Sequence, residues 1–203
     1  MSRHPRYHEG QVLLVRHGQT PLNAAGRLRG RLDPPLSGAG FRQVRALARD
    51  LARRHPRRIV TGPLLRTVQT AEFIAREASL ELVIDDDLQD RDYGVWAGQL
   101  QTVVIERWGA LDNAPGVESA TAVRERAVRA LNDQLPFLGS RPVVMVSHDA
   151  VISQLLSFLD PTLGSADDIR QRTGCFNELR YDGGGGWSVQ LVDQLPSVLG
   201  GHP

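Results

Sequence analysis

At 203 residues the chain has the length of one domain, enough to bury about 70% of its unfolded surface without disulfides or a structural metal. Its 24 arginines, with no lysine, nearly cancel 23 aspartates and glutamates, leaving formal net charge +1, so global electrostatics favour neither nucleic acid nor an acidic membrane surface. The single cysteine, Cys175, excludes an intramolecular disulfide and a cysteine-based zinc cage; it fits a reducing compartment, with the cytoplasm the expected location.

Residues 1–10 are polar, carry Arg3, His4, Arg6 and His8, and lack the apolar centre of a signal peptide, which predicts a flexible tail ahead of a single domain over 11–203. No apolar run approaches the roughly 18 residues a membrane span needs. A strand at 11–15 runs directly into Arg16-His17-Gly18-Gln19-Thr20. Open α/β sheets bind ligands beyond the carboxyl ends of their strands, so an imidazole beside a guanidinium there is placed to attack a phosphate. Arg-His-Gly-x-Thr arises by chance in a chain this long on the order of once in a thousand sequences.

Residues 38–54 carry Phe41, Val44, Leu47, Ala48 and Leu51 at helical spacing, and His55-Pro56 ends that helix. A strand at 58–61 leads to a helix that starts near Pro63, continues through Leu64, Val68, Ala71, Phe73 and Ala75 to Ser79, and holds Arg66 in its first turn. After a strand at 82–84 come Asp85, Asp86, Asp87, Asp90 and Asp92, either a solvated loop or the source of a proton donor. A helix over 119–135, a buried strand at 143–147, a helix at 151–159 and strands at 178–181 and 187–192 complete the chain, with Gly183 to Gly186 as a hairpin loop. Strands alternating with helices predict a three-layer α/β/α sandwich around a mostly parallel sheet.

Two further positions gain meaning from this order. An arginine in a first helical turn opposes the macrodipole but suits a phosphate, since unpaired amides and a planar fork both face the anion. His148 follows a buried strand as His17 does, so the two rings could face each other across the sheet edge, although a lone histidine at a strand end is more often structural.

These blocks together resemble the histidine phosphatase, or phosphoglycerate mutase-like, superfamily over nearly the whole chain. Beyond Arg16-His17-Gly18 they comprise Asn23, Arg27-Leu28-x-Gly30, Asp33-x-Pro35-Leu36-Ser37, Gly40, Leu65-Arg66-Thr67-x-Gln69-Thr70-Ala71, Tyr93-Gly94-x-Trp96-x-Gly98, Glu118-Ser119 and Val146-Ser147-His148. The resemblance implies that His17 attacks phosphorus and carries it as phosphohistidine, while Arg16, Arg66 and His148 surround the phosphoryl oxygens. Asn23 and the backbone of Gly18, Gln19 and Thr20 would add hydrogen bonds, and the clamp would need no metal or other cofactor.

Asp90 stands where the family pattern usually has a glutamate, and would protonate the leaving oxygen; Asp92 is the fallback. Asp149, after His148, replaces a small residue and would bear on substrate choice. The short region after Gly98 favours hydrolysis over mutase chemistry. The expected activity is therefore that of a metal-independent phosphomonoesterase acting on a small phosphorylated metabolite. Phosphoglycerate mutase-type transfer, a phosphohistidine-protein phosphatase and a catalytically weak phospho-ligand binder are the alternatives, and a homodimer is the commonest assembly to expect.

Overall fold

The computed structural model describes residues 7–197. Its strands are β1 (Gly10–Arg16), β2 (Arg58–Thr61), β3 (Leu82–Ile84), β4 (Val143–Ser147), β5 (Phe176–Tyr181) and β6 (Trp187–Gln194), in the sheet order β3-β2-β4-β1-β5-β6. The four from β3 to β1 are parallel; β5 runs against β1, and β6 against β5. The helices are α1 (Pro21–Ala24), α2 (Gly38–Ala52), α3 (Leu65–Ala78), α4 (Gln101–Trp108), α5 (Ala120–Asn132) and α6 (Asp149–Leu159).

Strand alternation explains the three layers. Side chains along β1 point to opposite faces in turn, so Leu13 and Val15 pack with Leu47, Leu51, Ala71 and Ile74 of α2 and α3. Val12 and Leu14 pack on the other face with Val123, Ala127, Ile152 and Leu156 of α5 and α6. With both faces covered, β1 and β4 read as continuous apolar runs, which is why they were legible as buried strands.

Element ends differ from the sequence reading where local hydrogen bonds compete. The α2 helix stops at Ala52 because the amides of Arg54 and His55 turn back to Leu51 and Ala52, and His55 takes φ 50°. The α3 helix starts at Leu65 rather than near Pro63, with Leu64 extended and the Leu65 amide donating to Asp33 Oδ1 at 2.7 Å. The α6 helix starts at Asp149, two residues earlier than expected, with extended His148 before it. Neither α1 nor α4 shows a periodic apolar stripe; Val104 alone of the α4 residues is buried.

Residues 1–6 of the expected tail lie outside the described residues. Its remainder is held: Tyr7 packs on the core, Glu9 pairs with Arg180 at 3.4 Å, and Gly10 opens β1. Among the described residues no helix is long and apolar enough to cross a membrane.

Candidate active site

Because β1 and β4 are parallel neighbours with Arg16 opposite Ser147, His17 and His148 emerge side by side at their carboxyl ends. Their ring centroids are 5.1 Å apart in an edge-on arrangement, and both residues are fully buried. His17 Nδ1 lies 2.6 Å from the Gly18 carbonyl, which can only accept, so Nδ1 carries the hydrogen and Nε2 keeps its lone pair. Arg66 Nε donates to His148 Nδ1 at 3.3 Å, which puts the His148 hydrogen on Nε2. One ring thus offers a nucleophilic nitrogen and the other an N–H donor.

Buried side-chain atoms ordinarily find partners, since leaving one unmade costs about 1–3 kcal/mol. Among the described residues five such atoms have no protein partner, and four belong here: His17 Nε2, His148 Nε2, Arg16 Nε and Arg29 Nε. An acceptor-rich anion would satisfy the three donors while presenting its central atom to His17.

Arg66 comes from the first turn of α3 and is fully buried. Its Nη1 donates to Leu32 O at 2.8 Å, and its Nη2 to Gly30 O at 3.0 Å and to Asp90 Oδ2 at 2.9 Å. With Nε on His148, four of its five hydrogens are engaged, so Arg66 acts here through charge and through one remaining hydrogen rather than as an open fork. Arg16 donates to the Gln171 carbonyl and lies 3.2 Å from Asp149 Oδ2. The carboxylate added beside His148 is therefore paired with an arginine. Burial raises the Asp149 pKa, and the Arg16 charge opposes the rise.

The loop after His17 departs from expectation. The amide of Gly18 donates to Thr70 Oγ1, that of Gln19 to Gln43 Oε1 and that of Thr20 to Asn23 Oδ1, at 3.1, 2.9 and 3.0 Å. These donors are already used by side chains of α3, α2 and α1, and α2 also packs closely on the loop: a Cβ on Gly40 would overlap the Gln19 carbonyl, and one on Gly18 would meet Val44 at 2.7 Å. What this loop offers to a ligand is side chains. Gln19 and Asn23 line a cavity of about 470 Å³ with Arg16, Arg29 and Asp149.

Sequence reasoning missed Arg29, the unread position inside Arg27-Leu28-x-Gly30. It is 7% exposed, lines that cavity and an adjoining one of about 360 Å³, and its charge helps lower the pKa of both histidines. A guanidinium flanked by Leu28 and Gly30 gives no periodic signal of burial; only its place inside a recognised block could have marked it.

The acidic cluster divides. Asp90 is fully buried between Arg66 and the His148 Nδ1 edge, 3.7 Å away, and its Oδ1 accepts the Arg91 amide at 2.9 Å. Asp92 is turned elsewhere, with Oδ1 capping Gly94 and Oδ2 3.7 Å from Arg31. The Asp90 loop is pinned by Arg126 of α5, which donates to the Asp87 and Gln89 carbonyls at 2.8 and 2.5 Å and grips Glu118 through Nε and Nη2. Burial alone would raise the Glu118 pKa, but its hydrogen bonds to Arg126 and the Asp92 amide leave it lowered. Arg126→Leu should therefore cost about 1.5–3 kcal/mol in urea unfolding and reduce turnover by loosening Asp90. Unchanged stability would show that the loop is held by other contacts.

Burial first, then the positive charges of the neighbouring arginines, hold His17 and His148 well below the ordinary imidazole pKa of about 6.5. The unfolded chain binds protons in this range that the folded one refuses, so stability rises with pH up to that value and is lost as pH falls below it. The expected slope is up to about 1.4 kcal/mol per histidine per pH unit below pH ~6.5. Urea unfolding from pH 7.5 to 5 checks this, and a slope near zero in the ligand-free protein would contradict two buried neutral rings.

The sequence model of the histidine phosphatase superfamily (branch 1) matches residues 12–194. A bifunctional protein of Mycobacterium tuberculosis is 34% identical over 195 residues, covering 91% of this chain and 54% of its own, so the chain spans about half the length of that relative. Phosphoserine phosphatase 1 of Hydrogenobacter thermophilus is 35% identical over 148 residues, covering 68% of this chain and 70% of its own. The structure of a mycobacterial glucosyl-3-phosphoglycerate phosphatase solved with VO3 superposes with a TM-score of 0.79 at 28% identity, covering 91% of this chain and 99% of that one.

Proposed function

The chain belongs to the histidine phosphatase superfamily, branch 1, and from that premise we propose that it hydrolyses a small phosphomonoester through a covalent phosphohistidine on His17. One observation carries the reading: His17 Nε2 is buried, unprotonated and unpartnered within a ring of donors that also lack partners. The phosphatases among the similar proteins support hydrolysis as the reaction type.

The chemistry follows from the geometry. The Nε2 lone pair forms an N–P bond as the P–O bond to the leaving group breaks, its electron pair passing to the leaving oxygen, which takes a proton. Water then attacks phosphorus, loses a proton to a carboxylate, and the N–P pair returns to Nε2 as phosphate leaves. Negative charge spread over the phosphoryl oxygens meets Arg16, Arg29 and Arg66 and the His148 Nε2–H, fixed before the substrate arrives. These groups supply the charge stabilisation within the protein, so the reaction proposed needs no metal. The depressed His17 pKa keeps the nucleophile available below neutral pH.

The leaving group would occupy the two cavities that meet at Arg29, Gln101 and Asp149. Their lining combines amides and charged groups, which suits a polar metabolite. The cytoplasmic location suggested by the lone cysteine belongs to the same proposal.

The test is phosphate release in EDTA from p-nitrophenyl phosphate and a panel of sugar, glycerate and nucleotide phosphates. Turnover with slow or absent isomerisation of phosphoglycerates is expected. No release from any of them by folded protein would contradict the phosphatase reading, and isomerisation faster than release would replace it with mutase-type transfer.

A further inference from the structure

We propose that Asp193 of β6 is a positioning residue for the reaction: it fixes the peptide on which Arg16 rests, and so aims the Arg16 guanidinium at the phosphoryl group. The inference rests on the phosphatase reading above. Arg16 Nη1 donates to the Gln171 carbonyl, and its Nε is the buried donor left without a protein partner. A shift of that carbonyl therefore moves the donor. Yet Gln171 lies in the segment 164–175 between α6 and β5, which has no helix or strand of its own to hold it.

Asp193 supplies the hold. The Gln171 carbonyl and the Arg172 N–H belong to one planar trans peptide and point to opposite sides of it. The Arg172 N–H donates to Asp193 Oδ1 at 2.7 Å, so Asp193 and Arg16 grip opposite edges of the same unit. The Arg172 side chain is tied to the same residue, its Nε to Asp193 Oδ2 at 2.7 Å and its Nη2 to the Asp193 carbonyl at 2.5 Å.

The strand is shaped to present this carboxylate. Between the pairs Phe176–Gln194 and Glu178–Leu191, β6 sets Val192 and Asp193 against Asn177 alone, a β-bulge of the kind that breaks side-chain alternation and re-aims a residue. Asp193 takes φ 51°, a left-handed conformation that aspartate tolerates better than most side chains. Its amide donates to Asn177 Oδ1 at 2.9 Å. The fully buried Asn177 donates in turn to the Leu14 carbonyl of β1 at 3.0 Å, and its carboxamide pairs with that of Gln171 at 2.8 and 3.0 Å. The bulge, the Gln171 side chain and β1 are thus locked to one asparagine. Neither Asp193 nor Asn177 lines the two cavities of the site, so both act on substrate only through Arg16.

The experiment measures kcat/KM for p-nitrophenyl phosphate and the Kd of inorganic phosphate in wild type, Asp193→Gly, Asp193→Asn, Arg16→Ala and the double variant Arg16→Ala with Asp193→Gly. Glycine removes the carboxylate while easing the left-handed backbone, and asparagine keeps an acceptor oxygen for the Arg172 amide. Asp193→Gly should lower kcat/KM on the order of 10²-fold, the cost of misplacing a catalytic group by about 1 Å, and Asp193→Asn by less than about tenfold. Phosphate binding should weaken in Asp193→Gly as well. In the Arg16→Ala background, adding Asp193→Gly should change either quantity by less than about twofold, because a residue that acts through another has nothing left to act on. A folding defect would lower kcat/KM by the same factor in both backgrounds. Should Arg16→Ala turn over too slowly to measure, the phosphate titration carries the comparison. An equal loss in both backgrounds, wild-type values in Asp193→Gly, or Asp193→Asn as impaired as Asp193→Gly would overturn the assignment. Wild-type protein inactive on every ester would instead overturn the phosphatase reading, and the phosphate titration would still decide the role of Asp193.

Discussion

Replacing His17 with alanine is expected to abolish phosphate release, with kcat falling on the order of 10⁵–10⁶-fold, as when the nucleophile of a covalent mechanism is removed. The size follows from what else the site contains. Cys175 is buried with its thiol pKa raised far above neutral, and His148 carries its free hydrogen on Nε2, so neither offers a lone pair to phosphorus. Water would have to attack directly, with only the donor ring to help. The variant should still fold, because His17 contributes one short contact to Gly18 and its ring is not part of either hydrophobic cluster. It should also still bind phosphate, since Arg16, Arg29, Arg66 and His148 remain. Retention of more than about 1% of wild-type activity would mean that another group or water attacks phosphorus.

Arg66→Leu should have the second largest effect, and on two measurements at once. Loss of a guanidinium that stabilises a phosphoryl transition state is worth on the order of 10³–10⁵ in kcat. Its removal also leaves Asp90 as a fully buried carboxylate without its charge partner, a defect of about 3–5 kcal/mol in urea unfolding. His148 loses the donor that fixes its tautomer, which compounds the loss of rate. Removing the buried carboxylate as well, in Arg66→Leu with Asp90→Leu, should recover much of the stability and none of the activity. If the double variant were no more stable than Arg66→Leu alone, Asp90 would not be the partner that Arg66 neutralises.

Much of this architecture was legible because its signals are local. The strands β2, β3 and β4 begin and end at the positions where apolar runs meet polar turns, and the hairpin at Gly183 to Gly186 is held by three amides on Asp182 Oδ1. His17, Arg16, Arg66 and His148 sit at strand ends and in a first helical turn, and chain order together with parallel pairing is enough to bring such positions to one sheet edge. The α4 region was not legible: its helix buries one residue, and its packing comes from Trp96, Trp108 and Tyr93 meeting across a separate small cluster with no repeating period.

Polar partnerships were the least legible. The sequence shows Asp90, Asp92 and Asp149 as three carboxyls near a phosphate site, with a family pattern favouring the first. Only spatial neighbours separate them: Asp90 is buried against Arg66 and the Arg91 amide, Asp92 lies beside Arg31, and Asp149 lines the cavity beside Arg16. Arg29 was hidden for the same reason, as a buried arginine is recognised by the pocket it enters rather than by its sequence neighbours.

The central claim is that phosphate passes through His17 before it reaches water, and the stereochemical course at phosphorus tests it most directly. Hydrolysis in isotopically labelled water of a phosphomonoester made chiral with oxygen isotopes gives retention of configuration if two in-line displacements occur, one by His17 Nε2 and one by water. Retention is the predicted result, and inversion would show a single direct attack by water and contradict the phosphohistidine.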